Sequence, residues 1–226
     1  VAHDLVVGQR AEADFGGHGI HLDMAAAGVE HSQCGVEDHR PAAHGLELGD
    51  GALEGRELYN CEFRNCKLNE TTWKQMRLEA CRFVSCDLTR ASVATMKAHG
   101  VEFRSCKLMG IDWSALAAAN DLEFHDCSMR YCSFVGLKLR KLAVSKCAII
   151  DATFVDVDLM GATFDDCDFT NTSFNRCEFK GATFPAARGL FIDPRQNRVK
   201  GVKLPLESAV LLAHAFGMDV IGYSAE

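Results

Sequence analysis

From Leu53 onward every fifth residue is large and apolar: Leu53, Leu58, Phe63, Leu68, Trp73, Leu78, Phe83, Leu88 and Val93, then Ala98, Phe103, Leu108 and Trp113. The register then slips by one residue and resumes at Phe124, running through Met129, Phe134, Leu139, Val144, Ile149, Phe154, Leu159, Phe164, Phe169, Phe174, Phe179 and Phe184. Of these 26 slots, 25 hold a large apolar side chain, where about a third would do so in an average chain. A helix repeats at about 3.6 residues and a strand at about 2, so neither accounts for the pattern. A chain that turns a corner every fifth residue does. Four units then close a square coil of about 20 residues, and coils stack as neighbouring strands do. Like falls on like at that spacing: Phe63, Phe83 and Phe103; Phe134, Phe154 and Phe174.

A second slot lies two residues earlier in each unit. Ten of the eleven cysteines occupy it: Cys61, Cys66, Cys81, Cys86, Cys106, Cys127, Cys132, Cys147, Cys167 and Cys177. Ala91, Ala152, Ala162, Ala182, Thr71 and Thr172 share it, whereas Arg56, Met76, Met96 and Leu137 make the first two-thirds of the repeat less regular. Each unit reads small, polar, large apolar, variable, variable. Buried free cysteine behaves as a small hydrophobe. No CxxC occurs, and a column does not converge on one point as zinc ligands must. The cysteines are therefore read as core, with no metal and no cofactor. Stacked pairs come within disulfide reach, but a cytoplasmic setting keeps them reduced.

The segment MGATFDDCDFTNTSFNRCEFKGATF (160–184) resembles the pentapeptide-repeat proteins, and the resemblance extends over about 51–186. It implies an all-β solenoid, a right-handed quadrilateral β-helix with the large residue inward and the small one beside it. Stacking at about 4.8 Å gives a rod of roughly 30 Å. The ending GLFIDPRQNRVKGVKLPLESAVLLAHAFGMDVIG (189–222) is similar to that of the quinolone-resistance and microcin B immunity subgroup, with Asp193, Pro194, Asn197, Gly201 and Gly217 at matching positions. That likeness implies a DNA-mimicking dimer that engages DNA gyrase or topoisomerase IV. Some quinolone-protecting relatives carry long protruding loops, and this chain has no comparable insertion in its rod.

The sequence divides into an irregular extension (1–50), the repeat (51–186, with a bulge or helical turn at 114–123) and a C-terminal cap (187–226). Residues 1–50 hold six of the nine histidines, including the ligand-like spacing of His18 and His21, and read as a flexible segment that belongs in part to an upstream start. In the cap, Pro205 suits a first helical turn and Gly217 a stop, so a helix is predicted over about 205–216, with a short strand over Met218–Tyr223. Leu206, Val210, Leu211 and Phe216 cannot all be hidden by one short helix. They are assigned both to covering the last coil and to a homodimer joint.

The formal net charge of −7 arises in residues 1–50. Within the rod, 51–113 and 114–150 each carry +2, and 151–186 carry −5 through Asp151, Asp156, Asp158, Asp165, Asp166, Asp168 and Glu178. Two copies joined end to end would set on the order of ten charges over roughly 17 Å, near the density of duplex DNA at about one per 1.7 Å. These acids are the candidate partner-binding surface. Aromatics sit in core slots rather than on a basic face, which argues against direct nucleic-acid binding. No apolar run reaches the roughly 18 residues of a membrane span, and no secretory signal is visible. No phosphate loop or activated nucleophile is present. His125 lies two residues from Cys127, but alternation turns one out and the other in. The sequence thus points to a non-enzymatic cytoplasmic protein, either a topoisomerase-modulating DNA mimic or a β-helical interaction scaffold with another partner.

Overall fold

The structure is a computed structural model and describes residues 10–12, 23–25, 42–45, 47–48, 52–116 and 118–222. Arg10–Glu12 and Asp23–Ala25 form an antiparallel pair. The remaining strands pair in parallel and build a four-sided β-solenoid that ends in one helix, α1 (Leu206–Ala215). Most strands are three residues long and centred on a large slot, as in Arg82–Val84 and Thr163–Asp165. Register follows the 20-residue columns: Phe63 opposes Phe83, Phe134 opposes Phe154, and Phe154 opposes Phe174. No helix among the described residues is long and apolar enough to cross a membrane.

The corner falls two residues after each large slot. There the backbone turns left-handed, at Asn60, Asn65, Ser85, Arg90, Tyr131, Lys146, Asp166 and Arg176 among others. At several corners a turn closes with a hydrogen bond from the next small slot to the preceding large one. Examples are Ala91 N to Leu88 O (3.0 Å) and Ala162 N to Leu159 O (3.1 Å). A positive φ at the third position is what a type II turn demands, and Arg90 and Gly161 supply it.

The axial core is filled by stacked rings. Phe63, Phe83, Phe103 and Phe124 follow one another at 4.9, 5.1 and 5.3 Å between centroids. The ten rod cysteines are buried, and they do more than fill space. Cys81 Sγ donates to Leu58 O (3.3 Å), Cys86 to Phe63 O (3.3 Å), Cys106 to Phe83 O (3.4 Å) and Cys132 to Leu108 O (3.0 Å). Each thiol thereby serves a carbonyl of the coil below. Burial pushes the thiol of Cys132 up to about 11 and that of Cys167 up to about 12, which keeps them protonated and unreactive near neutrality. Where the large slot shrinks to Ala98, the flanking small slots hold Met96 and Val101, and all three are buried. At this layer, what reads as irregularity in sequence is an exchange of volumes.

Two boundaries differ from the sequence reading, and the slip takes one of the two forms it allowed. Pairing begins before Leu53, because Ala42–His44 lies alongside Glu62–Arg64 and Glu47 bridges Lys67. Ala43 occupies the large slot there and is too small to announce it. Pairing also continues past residue 186, through the bridges Asp168–Arg188, Glu178–Arg198 and Thr183–Lys203. The extra residue of the slip is absorbed by a 3-10 turn, Trp113–Ala115, capped by the Asp112 carboxylate, which accepts from Ser114 N. The following strand, Ala118–His125, pairs with Lys97–Arg104 at the shifted register. The indole of Trp73 donates to Thr71 Oγ1 (2.6 Å), whereas Trp113 Nε1 has no hydrogen-bond partner among the described residues.

On the last coil a turn at Asp193–Asn197 stands in for a strand. Asp193 O accepts from Gln196 N and Asn197 N, both at 3.1 Å. Helix α1 follows Pro205. After Gly217 (φ 76) the described residues Met218–Gly222 hold irregular backbone and a turn rather than the expected strand, whose last residue lies outside the described residues.

Candidate protein-recognition surface

Most of the seven acids are placed by backbone demands. Asp151, Asp156 and Asp166 stand at left-handed corners (φ 55, 55 and 50), which Asp and Asn tolerate better than most residues because a short polar side chain bonds locally. Asp158, Asp168 and Glu178 precede a large slot. Each accepts from the backbone N–H two residues on: Met160 (3.2 Å), Thr170 (2.9 Å) and Lys180 (3.1 Å). Asp165 ends the strand Thr163–Asp165 and faces out, its carboxylate with no hydrogen bond or ion pair among the described residues.

Cations from neighbouring coils reach four of these acids. Arg176 holds Asp156 through two bonds of 2.7 Å, and this hydrogen bonding keeps the Asp156 carboxyl below its usual range. Arg140 meets Asp158 at 2.6 Å, Arg188 meets Asp166 at 3.1 Å and Arg198 meets Glu178 at 3.6 Å. Three of these arginines lie outside residues 151–186, and counting them changes the net charge of the belt from −5 to −2. The match to the charge density of DNA, counted along the sequence, therefore does not hold across the belt. Coiling sets basic residues about 20 positions away directly against it. Asp151, whose Oδ1 accepts from Asn171 Nδ2 (3.1 Å), Asp165 and Asp168 have no cation partner among the described residues.

The tail residues separate as well. Val210 is 2% exposed and already covered within the chain, so it leaves the set available for a joint between copies. Leu206 is 74% exposed, and Leu211, Phe216, Met218 and Ile221 are also open to solvent. Phe216 is held from one side by Arg195, whose guanidinium lies 4.8 Å from the ring centroid. Arg195 is fixed in turn by Asp193 (2.8 Å), and hydrogen bonds from Arg195 hold that carboxyl below its usual range. His125 turns outward, with Nδ1 2.7 Å from Ser145 Oγ, while the Cys127 thiol points inward to Phe103 O. The two are not brought together. Among the described residues no group of three or more His, Cys, Asp or Glu side chains is arranged to hold a metal ion, and His18 and His21 lie outside them.

A family profile described as a pentapeptide repeat region matches residues 56–120 and 117–184, more than half of the chain. The chain belongs to the pentapeptide-repeat family. Within the family it is 42% identical over 175 residues to Protein McbG of Escherichia coli, covering 77% of this chain and 94% of that protein. Among solved structures, trypsin-treated QnrB1, a plasmid-mediated fluoroquinolone resistance protein, is 21% identical with a TM-score of 0.47, covering 79% of this chain and 99% of the other. HetL, a pentapeptide repeat protein involved in heterocyst differentiation regulation in the cyanobacterium Nostoc, is 15% identical with a TM-score of 0.36, covering 72% and 86%.

Proposed function

We propose that this chain is a non-enzymatic, DNA-mimicking rod of the cytoplasm. It binds a type II topoisomerase, DNA gyrase or topoisomerase IV, and modulates the enzyme or protects it from a quinolone or a peptide toxin. It acts as a homodimer joined through the exposed tail residues Leu206, Leu211 and Phe216. The observation that carries this reading is the group of outward carboxylates without cations, Asp151, Asp165 and Asp168, near the same end of the rod as the exposed apolar tail. The likeness of residues 189–222 to the ending of topoisomerase-protecting relatives supports it. A basic protein groove that accepts duplex DNA is the kind of surface such carboxylates complement.

The test is a supercoiling assay with purified DNA gyrase and a decatenation assay with topoisomerase IV, each with and without a quinolone, alongside sedimentation equilibrium. The rod is expected to shift supercoiling or quinolone-induced cleavage at micromolar concentration and to sediment near twice 24.7 kDa. The double variant Asp165→Asn, Asp168→Asn is expected to need at least roughly tenfold more protein for the same effect, as removing two interfacial charges does. No effect of the native rod on either enzyme would sink the reading. It would favour the second one, a scaffold for another partner, which the arginine pairing of Asp156, Asp158, Asp166 and Glu178 supports.

A further inference from the structure

Among the described residues, nineteen corners with positive φ carry a residue other than glycine. Eighteen of these residues are polar, charged or alanine, and the exception is Tyr131 at φ 60. A β-branched or bulky side chain is the poorest choice for a left-handed backbone, and Thr95, the β-branched case at φ 53, gains hydrogen bonds there by accepting from Gln75 N and donating to Ala94 O. The chain places glycine at the same corner one coil earlier, Gly110. Tyr131 gains nothing structural in return. Its ring is 63% exposed, and it has no side-chain hydrogen bond, ring stack or cation contact among the described residues. Tyr59, by contrast, is tied down by Glu57 and by Arg77, 5.9 Å from its ring centroid.

The surroundings of Tyr131 are mixed in a particular way. Gly110 N donates to Arg130 O (2.8 Å) and Tyr131 N to Ile150 O (3.0 Å). These bonds stack Met109, Arg130 and Ile150 in one column beside Gly110, Tyr131 and Asp151 in the next. Met109 and Ile150 are half-buried. The ring therefore rises beside a column in which the exposed Arg130 lies between the half-buried Met109 and Ile150, with Asp151 above it and Asp168 one coil farther along the same face. Carboxylates without cations would repel nucleic acid and attract a cationic protein surface. An exposed tyrosine supplies large contact area at low entropic cost and recurs as a binding anchor.

We infer that Tyr131 is the aromatic anchor of the partner-binding face, seated in an apolar pocket of the basic DNA-binding surface of the topoisomerase, with Asp151 and Asp168 meeting the cations around that pocket. This rests on the function proposed above and adds a contact that charge mimicry alone does not contain. Carboxylates draw any basic protein, whereas an aromatic that must find a pocket selects among them.

The test measures binding of the full chain to purified DNA gyrase at low and high salt for the native protein, Tyr131→Ala, Tyr131→Phe and Asp151→Asn, Asp168→Asn. Tyr131→Ala is expected to weaken binding at least tenfold at both salt concentrations, with a thermal midpoint no lower than native. Tyr131→Phe retains affinity within about threefold. The Asp variant loses affinity mainly at low salt, because screening has already removed its contribution at high salt. Native binding with an unchanged Tyr131→Ala overturns this inference alone. Absence of native binding at both salts overturns the proposed function and this inference with it. A sedimentation shift in Tyr131→Ala would show the ring covered by a second copy and would also overturn it.

Discussion

Replacing Phe154 with alanine is expected to lower the free energy of unfolding by about 3–5 kcal/mol, the upper range for aromatic truncation in a core. Phe154 is 1% exposed and lies between Phe134 at 4.5 Å and Phe174 at 5.0 Å. Part of the loss is the transfer of a phenyl ring, and the rest is the cavity it leaves. The cavity persists because both neighbouring coils are pinned in register, with Thr153, Phe154 and Val155 paired to Ser133–Val135 on one side and Ser173–Asn175 on the other. The rings above and below cannot close a gap that the backbone ladders hold open. Urea unfolding followed by circular dichroism reads the change. A loss below about 1 kcal/mol would mean the column relaxes freely, contrary to a rigidly stacked interior.

Asn197→Leu is the second large effect, with an expected cost of about 2–4 kcal/mol. Asn197 is buried in the turn that closes the last coil. Its Oδ1 accepts from Cys177 N (2.9 Å), and its Nδ2 donates to Phe174 O (3.0 Å) and Asp193 O (3.0 Å). One side chain thus supplies the pairing that a further strand would have given. Leucine keeps the volume and strands those groups, and a buried unsatisfied donor or acceptor costs about 1–3 kcal/mol. Hydrogen exchange localises the damage, with faster exchange expected at Cys177 and neighbouring amides and little change near Phe83. Native stability in the variant would show that the amide is not what terminates the sheet.

The five-residue period was legible because it is a period of side-chain size, and size is what an axial core selects. Phe63 to Phe184 declared themselves for that reason. The corners were harder to read, because the left-handed position favours Gly, Asn and Asp but also takes Arg90 and Lys146, so no single residue type marks it. The first coil was hidden by Ala43, an alanine in a large slot. Cysteine read as a small hydrophobe because its thiol bond to the coil below depends on stacking, not on local sequence. The same holds at the candidate surface. A count along the chain sees Asp156, Asp158, Asp166 and Glu178 as a run of charge, and only the coil brings Arg176, Arg140, Arg188 and Arg198 against them. Val210 and Leu211 look equivalent in sequence, and burial of the first but not the second within the chain separates them.

The quintet turn carries the ten rod cysteines into a sealed axial interior. Alkylation with iodoacetamide under native conditions, counted by intact mass and located by peptide mapping, tests it most directly. None of the ten rod cysteines is expected to be modified in the native protein, whatever Cys34 does, and all eleven react in concentrated urea. Rapid native modification of several rod cysteines, such as Cys86, Cys127 and Cys167 together, would contradict it.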